Sequence, residues 1–450
     1  CLYGSFDDDS RALRWCSSGG YRICWILYCG NDMLSCNCIR NIVCAAALLV
    51  GIAAAAQVKP GIEVLAERGF SGLEGMRVGL VTNPSGVDRQ MRSTIDILYD
   101  AGEVELVALF APEHGVRGDV YAGEKVSSDR DSRTGLPVYS LYGATRQPTA
   151  QMLDGIDIVI YDIQDVGSRS YTFISTLGLV MRSCAEKEIP VMVLDRPNPL
   201  GGNKIEGPLV RDGFHSFVGQ YKIPYIYGLT VGELAILLNE EGLNCGQDGR
   251  SSHLKCDLMV VPMQGWKRDM LFSDTGLPWV PTSPNIPYPQ SAICYPSAGL
   301  AGEMYNYLNI GIGYTLPFAT FAEEWVDADE LKARLDSCNI PGVAWRTIHY
   351  KPTSGRLSGK LIHGVQYYYT DFNAATITLT QFYVMQAVWE LYGRNPFKVA
   401  PERMAMFNKV CGTDFVSKSF GQTLQVADIV DYWNADVEAF RRLAQKYYIY

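Results

Sequence analysis

Val104-Glu-Leu-Val-Ala-Leu-Phe-Ala-Pro-Glu-His-Gly115 is an apolar run that stops at a proline and then presents a glutamate and a histidine. A run this apolar reads as a strand over Val104–Phe110 that is covered on both faces. Pro112 ends it, and Gly115 and Gly118 let the chain turn sharply. The same grammar recurs. Met76–Thr82 reads as a strand ending in Asn83-Pro-Ser-Gly86, Ile156–Ile163 as a third, Val191–Leu194 as a fourth ending in Asp195-Arg-Pro-Asn-Pro199, and Asp257–Pro262 as a fifth. Helical patterns fall between them at Pro60–Gly69, Ser93–Ala101, Tyr171–Glu188 and Thr230–Glu241, the last with Glu233 placed for a capping box on Thr230. Doubly covered strands separated by helices predict an α/β fold with a Rossmann-like parallel sheet. The alternative, a TIM barrel, needs more β–α repeats than the pattern supplies.

The alternation stops near Gln264. From there to Phe318 the chain is rich in Pro, Gly, Tyr and Trp and has little periodicity, which reads as a long irregular segment. Beyond it, helices at Asp329–Cys338, Thr380–Tyr392 and Ala435–Tyr447 and strands at Val343–Tyr350 and His363–Thr370 predict a smaller α+β C-terminal domain. The expected division is a Rossmann-like domain over 57–263 and a C-terminal domain over 264–450 that completes a cleft.

Residues 1–56 differ in character and hold seven of the 13 cysteines. Arg40, the apolar run Ile42–Ala53 and Ala54-Ala-Ala56 have the order of a signal peptide over 33–56, with 1–32 read as an upstream, non-native segment. The expectation is an exported protein, periplasmic or extracellular, without a stable membrane anchor. In that setting Cys245 and Cys256 could pair, although isolated buried thiols are the favoured reading. A net charge of −9 argues against a nucleic-acid partner and against a polybasic membrane surface.

In a parallel sheet all carboxyl ends line one edge, where ligands bind. The expected edge receives Asn83 from the first strand and Glu113 and His114 from the second. The third brings Asp162, Gln164, Asp165, Ser168 and Arg169, and the fourth Asp195, Arg196 and Asn198. Each has a bland reading as a cap, a turn residue or a structural bridge. Their coincidence on four strands points to a functional crevice. No G-x-G-x-x-G follows a strand, so no dinucleotide cofactor is expected, and the P-loop, G-x-S-x-G and H-E-x-x-H signatures are absent. No metal and no cofactor is expected. Carboxylate chemistry remains, and glycoside cleavage needs a protonated carboxyl plus, in most enzymes, a second carboxylate. Glu113 beside an apolar strand suits the first role. Trp266, Trp279, Tyr288, Tyr295, Tyr305, Tyr307 and Tyr314 would suit stacking on sugar rings or simple packing. A carboxylate-rich metal-dependent hydrolase and a non-catalytic cell-wall-sugar binding protein are the rival classes.

Longer motifs extend this reading. They are Gly79-Leu-Val-Thr-Asn-Pro-Ser-Gly86, Ala111-Pro-Glu-His-Gly115, Ala122-Gly-Glu124, Thr134-Gly-Leu-Pro-Val-Tyr-Ser-Leu-Tyr-Gly143, Asp162-Ile-Gln-Asp-Val-Gly167 and Leu194-Asp-Arg-Pro-Asn-Pro-Leu-Gly-Gly202. Glu206-Gly-Pro208, Gly265-Trp-Lys-Arg-Asp269 and Gly311-Ile-Gly-Tyr-Thr-Leu-Pro-Phe318 follow. With these the chain resembles the exo-β-N-acetylmuramidases of glycoside hydrolase family 171 (NamZ-like), over essentially all of the sequence after residue 56. The resemblance implies a Rossmann-like domain plus a C-terminal domain with the active site between them. It implies release of N-acetylmuramic acid from the non-reducing end of peptidoglycan fragments or muropeptides. It also implies that Glu113 is catalytic, with Glu124 and Asp165 as candidates for the partner carboxylate. Asn83, His114, Gln164, Arg169, Asp195, Arg196 and Asn198 are the expected substrate-binding residues. The family's Glu-Gly-Arg-Gly-Thr-like segment is replaced here by Asn309-Ile-Gly-Ile-Gly-Tyr314.

Overall fold

The computed structural model describes residues 57–113, 115–118, 129–143, 145–243 and 254–450. The expectations for residues 1–56, His114, Glu124 and Cys245 lie outside those residues. The described residues form one compact unit.

The chain opens with α1 (Gly61–Glu67), β1 (Arg77–Thr82), α2 (Thr94–Asp100) and β2 (Glu105–Ala111). The short strands β3 (Asp129–Arg130) and β4 (Pro137–Ser140) follow, then β5 (Ile158–Asp162), α3 (Phe173–Glu186), β6 (Val191–Leu194), α4 (Val231–Glu241) and β7 (Leu258–Val261). They build a sheet in the order β3-β4-β2-β1-β5-β6-β7, parallel except for the edge strand β3. Alternate residues of one strand serve opposite cores. Val78 and Leu80 pack with Ile62, Leu65, Ile95 and Leu98 of α1 and α2. Val81 packs with Phe173, Leu177, Leu234 and Leu238 of α3 and α4. Burial on both faces is why these strands read as unbroken apolar runs. Thr230 and Glu233 close the expected capping box on α4.

The segment from Gln264 to Phe318 is not irregular throughout. It contains α5, the 15-residue helix Pro289–Glu303. Pro289 occupies the first turn, where its missing N–H costs nothing, but Pro296 sits inside. Ala292, Cys294, Ala298, Leu300 and Ala301 are all buried, and Ile293 on another face joins a separate cluster. A helix covered on several sides loses the one-sided periodicity that sequence reading depends on.

Next come β8 (Thr320–Glu323), α6 (Ala328–Ser337), β9 (Val343–Tyr350), β10 (Ile362–Tyr369) and α7 (Thr380–Tyr392). The three strands pair antiparallel as β8-β10-β9. Short helices finish the chain: α8 (Pro396–Val399), α9 (Met404–Cys411), α10 (Phe415–Thr423), α11 (Val430–Asn434) and α12 (Val437–Ala444). The last of these returns to the first sheet, where Phe440 and Ala444 join the α3/α4 core. The final residues follow it. The Ile449 amide donates to Glu233 at 2.9 Å, and the Tyr450 hydroxyl donates to Asp195 Oδ2 at 2.7 Å and accepts from the Met263 amide at 2.7 Å. Cys184, Cys294 and Cys411 are buried free thiols, and Cys338 is a half-buried one.

Candidate active site

The sheet order reverses at β1, whose neighbours are β2 on one side and β5 on the other. A reversal of this kind leaves a crevice outside the carboxyl ends of the two central strands. Asn83 leaves β1 there. Its side-chain oxygen accepts from the Ser85 amide at 2.9 Å, while its Nδ2 is buried without a partner. Ser85 Oγ in turn accepts from the Gln164 amide at 3.0 Å, which ties the β1 turn to the β5 turn. The Gln164 side chain donates to Pro197 O at 2.7 Å, joining the β6 turn as well. A pocket at this edge is lined by Ser85, Gln164 and Arg196 below and by Phe272 and Trp279 from the segment after β7.

Asp165 is the unusual carboxylate of the group. It is 3% exposed, and Oδ1 accepts from the Gly167 amide at 2.8 Å and the Tyr227 hydroxyl at 2.6 Å. Oδ2 is buried with no partner. Burial pushes its pKa up to about 6, against the lowering effect of the two donors. Gly167 must be glycine: φ is +77°, and a Cβ would lie 2.2 Å from Asn198 Oδ1.

Glu113 stands on the β2 side of the edge, outside the lining of that pocket, and is half-buried. Thr172, which precedes α3, donates its hydroxyl to Glu113 Oε2 at 2.9 Å. β4 pairs beside β2, so the end of β4 delivers Tyr142 next to Glu113. Burial raises the Tyr142 hydroxyl to about 12, and the charge of Glu113 and a hydrogen bond to it push the same way. Tyr171 donates to Thr282 Oγ1 at 2.9 Å. Burial raises its pKa first, and the charges of both Asp165 and Glu113 add to the shift. One phenol therefore lies within electrostatic reach of both carboxylates. We expect Thr172→Val to lower kcat about tenfold with an unchanged unfolding midpoint, because a carboxylate that has lost a positioning hydrogen bond samples unproductive rotamers. Steady-state kinetics beside a thermal melt checks this, and unchanged kcat would remove Thr172 from the site.

The remaining expected residues are held in place by the fold, and of these Arg196 also lines the pocket. Asp162 and Arg196 form a buried bidentate pair, and Arg196 Nη2 also donates to Val87 O at 2.9 Å. Asp195 accepts from the Thr230 and Tyr450 hydroxyls, both at 2.7 Å, and burial raises it to about 6. Asn198 bridges the Leu200 amide and Leu229 O, each at 2.9 Å. Arg169, expected at the crevice, is turned inward onto four backbone carbonyls. Most of the aromatic stretch is packing. Trp266 and Tyr307 are core residues, Tyr314 stacks on Tyr350, and Tyr295 supports Tyr171 edge-on at 5.6 Å. Trp279 alone among them lines the pocket. Among the described residues, no group of three or more His, Cys, Asp or Glu is arranged to hold a metal ion.

The N-terminal family profile of the exo-β-N-acetylmuramidase NamZ matches residues 78–290, and the C-terminal profile matches 293–450. The peptidoglycan β-N-acetylmuramidase NamZ of Bacillus subtilis (strain 168) is 41% identical over 394 residues, covering 88% of this chain and 92% of that protein. The chain belongs to the NamZ family. Solved structures of two DUF1343 family proteins from Bacteroides fragilis NCTC 9343 share the fold. One has a TM-score of 0.81 at 51% identity, and the other 0.69 at 28% identity. Each alignment covers 88% of this chain and 99% of that structure. In this NamZ-family chain, Tyr142, Tyr171 and Thr172 are the site neighbours that sequence reasoning missed.

Proposed function

We propose that this chain is an exo-acting glycoside hydrolase that releases N-acetylmuramic acid from the non-reducing end of peptidoglycan-derived saccharides, with Glu113 as general acid. The observation that carries the reading is the pair of unlike carboxylates at one sheet edge. Glu113 is half-buried beside the hydroxyls of Thr172 and Tyr142, and Asp165 is buried with one unpartnered oxygen. Family membership and the activity named for the B. subtilis relative support the substrate class. The Glu113 carboxyl gives its proton to the glycosidic oxygen as the C1–O bond breaks. Water adds to C1 and loses its proton to the second carboxylate, for which Asp165 is the described candidate. Product analysis on a disaccharide with N-acetylmuramic acid at its non-reducing end tests the proposal, with NMR following the first anomer released. Free N-acetylmuramic acid is expected, and an intact disaccharide after hours of incubation would sink it.

Asp165 also makes a prediction about pH. Its pKa is about 6 in the fold, against about 3.9 for an ordinary aspartate. Between those values the folded state holds a proton that the unfolded chain has released. Stability from this group is therefore complete below about pH 4 and is lost as pH rises through 6, by on the order of 2–3 kcal/mol. Asp195 acts in the same direction. Asp165→Asn cannot titrate, so its urea stability should fall less steeply between pH 4 and 7 than that of the wild type. Parallel curves would show that Asp165 does not hold the proton.

A further inference from the structure

Arg146 lies beyond Tyr142 and Phe217 from Glu113 and has no assigned role. Its side chain is exposed, and its guanidinium sits 4.5 Å from the centroid of the Phe217 ring. Phe217 is buried and packs against Tyr142 with ring centroids 6.4 Å apart. Tyr142 in turn meets Glu113. Glu113, Tyr142, Phe217 and Arg146 thus form one contiguous row from the proposed acid to solvent. Burial raises the Tyr142 hydroxyl; the charge of Glu113 adds to that shift and the charge of Arg146 opposes it.

The other arginines of this edge are occupied. Arg196 is spent on Asp162 and Arg169 on backbone carbonyls. No ion pair joins Arg146 to any other described residue. The Arg146 guanidinium lies over the Phe217 ring, and a guanidinium packed on an aromatic face can still grip a carboxylate through two parallel hydrogen bonds. In a chain of net charge −9, an anionic ligand needs such a local cation.

N-acetylmuramic acid differs from N-acetylglucosamine by a lactyl ether at C3, which ends in a carboxylate. We propose that Arg146 is the specificity residue that binds this lactyl carboxylate and so selects a muramic ring over a glucosaminic one. The assignment rests on the function proposed above. It deepens that reading by naming the group that distinguishes the two sugars.

The test uses the full chain and three chromogenic 4-nitrophenyl β-glycosides: the N-acetylmuramide, its neutral lactyl amide, and the N-acetylglucosaminide. Arg146→Met is expected to raise KM for the acid on the order of 10–100-fold, with kcat within about threefold, because a charge-assisted pair that holds the ground and transition states equally acts on KM. KM for the lactyl amide should move less than about twofold, and Arg146→Lys should recover part of the loss on the acid. Added salt should raise the wild-type KM for the acid alone. An unchanged KM for the acid, or equal losses on acid and amide, would overturn the assignment while leaving the glycosidase reading intact. Wild-type enzyme inactive on the muramide would overturn both.

Discussion

Replacing Glu113 with Gln is expected to lower kcat by about 10³-fold or more while KM and the unfolding midpoint stay near wild type. Gln keeps the size of the side chain and can still accept from the Thr172 hydroxyl that now bonds Oε2 at 2.9 Å. It cannot carry the proton that the leaving oxygen needs. The loss therefore falls on the chemical step and spares ground-state binding. An activated 4-nitrophenyl leaving group needs less protonation than a sugar, so the deficit should be smaller on that substrate than on a disaccharide. The contrast between the two substrates identifies an acid. A positioning residue would lose equally on both. Near-normal turnover of the disaccharide by Glu113→Gln would end the assignment.

The second large effect concerns stability. Arg169 is completely buried, and among the described residues it forms no ion pair with a carboxylate. Nη1 donates to Pro208 O at 2.7 Å and Ile223 O at 2.6 Å, and Nη2 to Val410 O at 3.2 Å and Cys411 O at 2.7 Å. The Tyr225 ring lies 5.6 Å from its Cζ, and burial alone brings its pKa down to about 10. One side chain thus satisfies the carbonyls of three separate segments, including the end of α9. Arg169→Met fills most of the volume but orphans those acceptors. Each orphan costs about 1–3 kcal/mol before relaxation, so a net loss of at least ~4 kcal/mol is expected. That is a large part of the ~5–15 kcal/mol stability of an ordinary domain. Urea unfolding measures it, and a shift under about 1 kcal/mol would mean that water or a new rotamer replaces the guanidinium. Arg169→Lys, with a compact ammonium, should recover only part of the loss.

Glu113 and Arg169 both follow apolar strands, and the strand pattern predicts both at the same edge. Position along the chain is set by the backbone, which the runs at β1, β2, β5 and β6 betray because both of their faces are buried. Direction is not. Arg169 turns inward because carbonyls from as far away as Val410 and Cys411 wait there. Asp165 owes its environment to Tyr227, 62 residues later in an irregular segment. Tyr142 was missed for a different reason. β4 is four residues long, starts with a proline and is mostly half-exposed, so it has neither the length nor the apolarity of a readable strand. Without β4, nothing placed Tyr142 beside Glu113 or Arg146 beside Phe217.

The bond from Tyr450 to Asp195 spans 255 residues, and it sets an order of events during synthesis. At ~5–20 residues per second, the ribosome finishes Tyr450 roughly 13–50 s after Asp195 has been made. Throughout that interval the end of β6 holds a carboxyl without its phenol, and Glu233 lacks the Ile449 amide. A nascent or truncated chain can therefore contain every candidate catalytic group and still present an unfinished edge to chaperones and proteases.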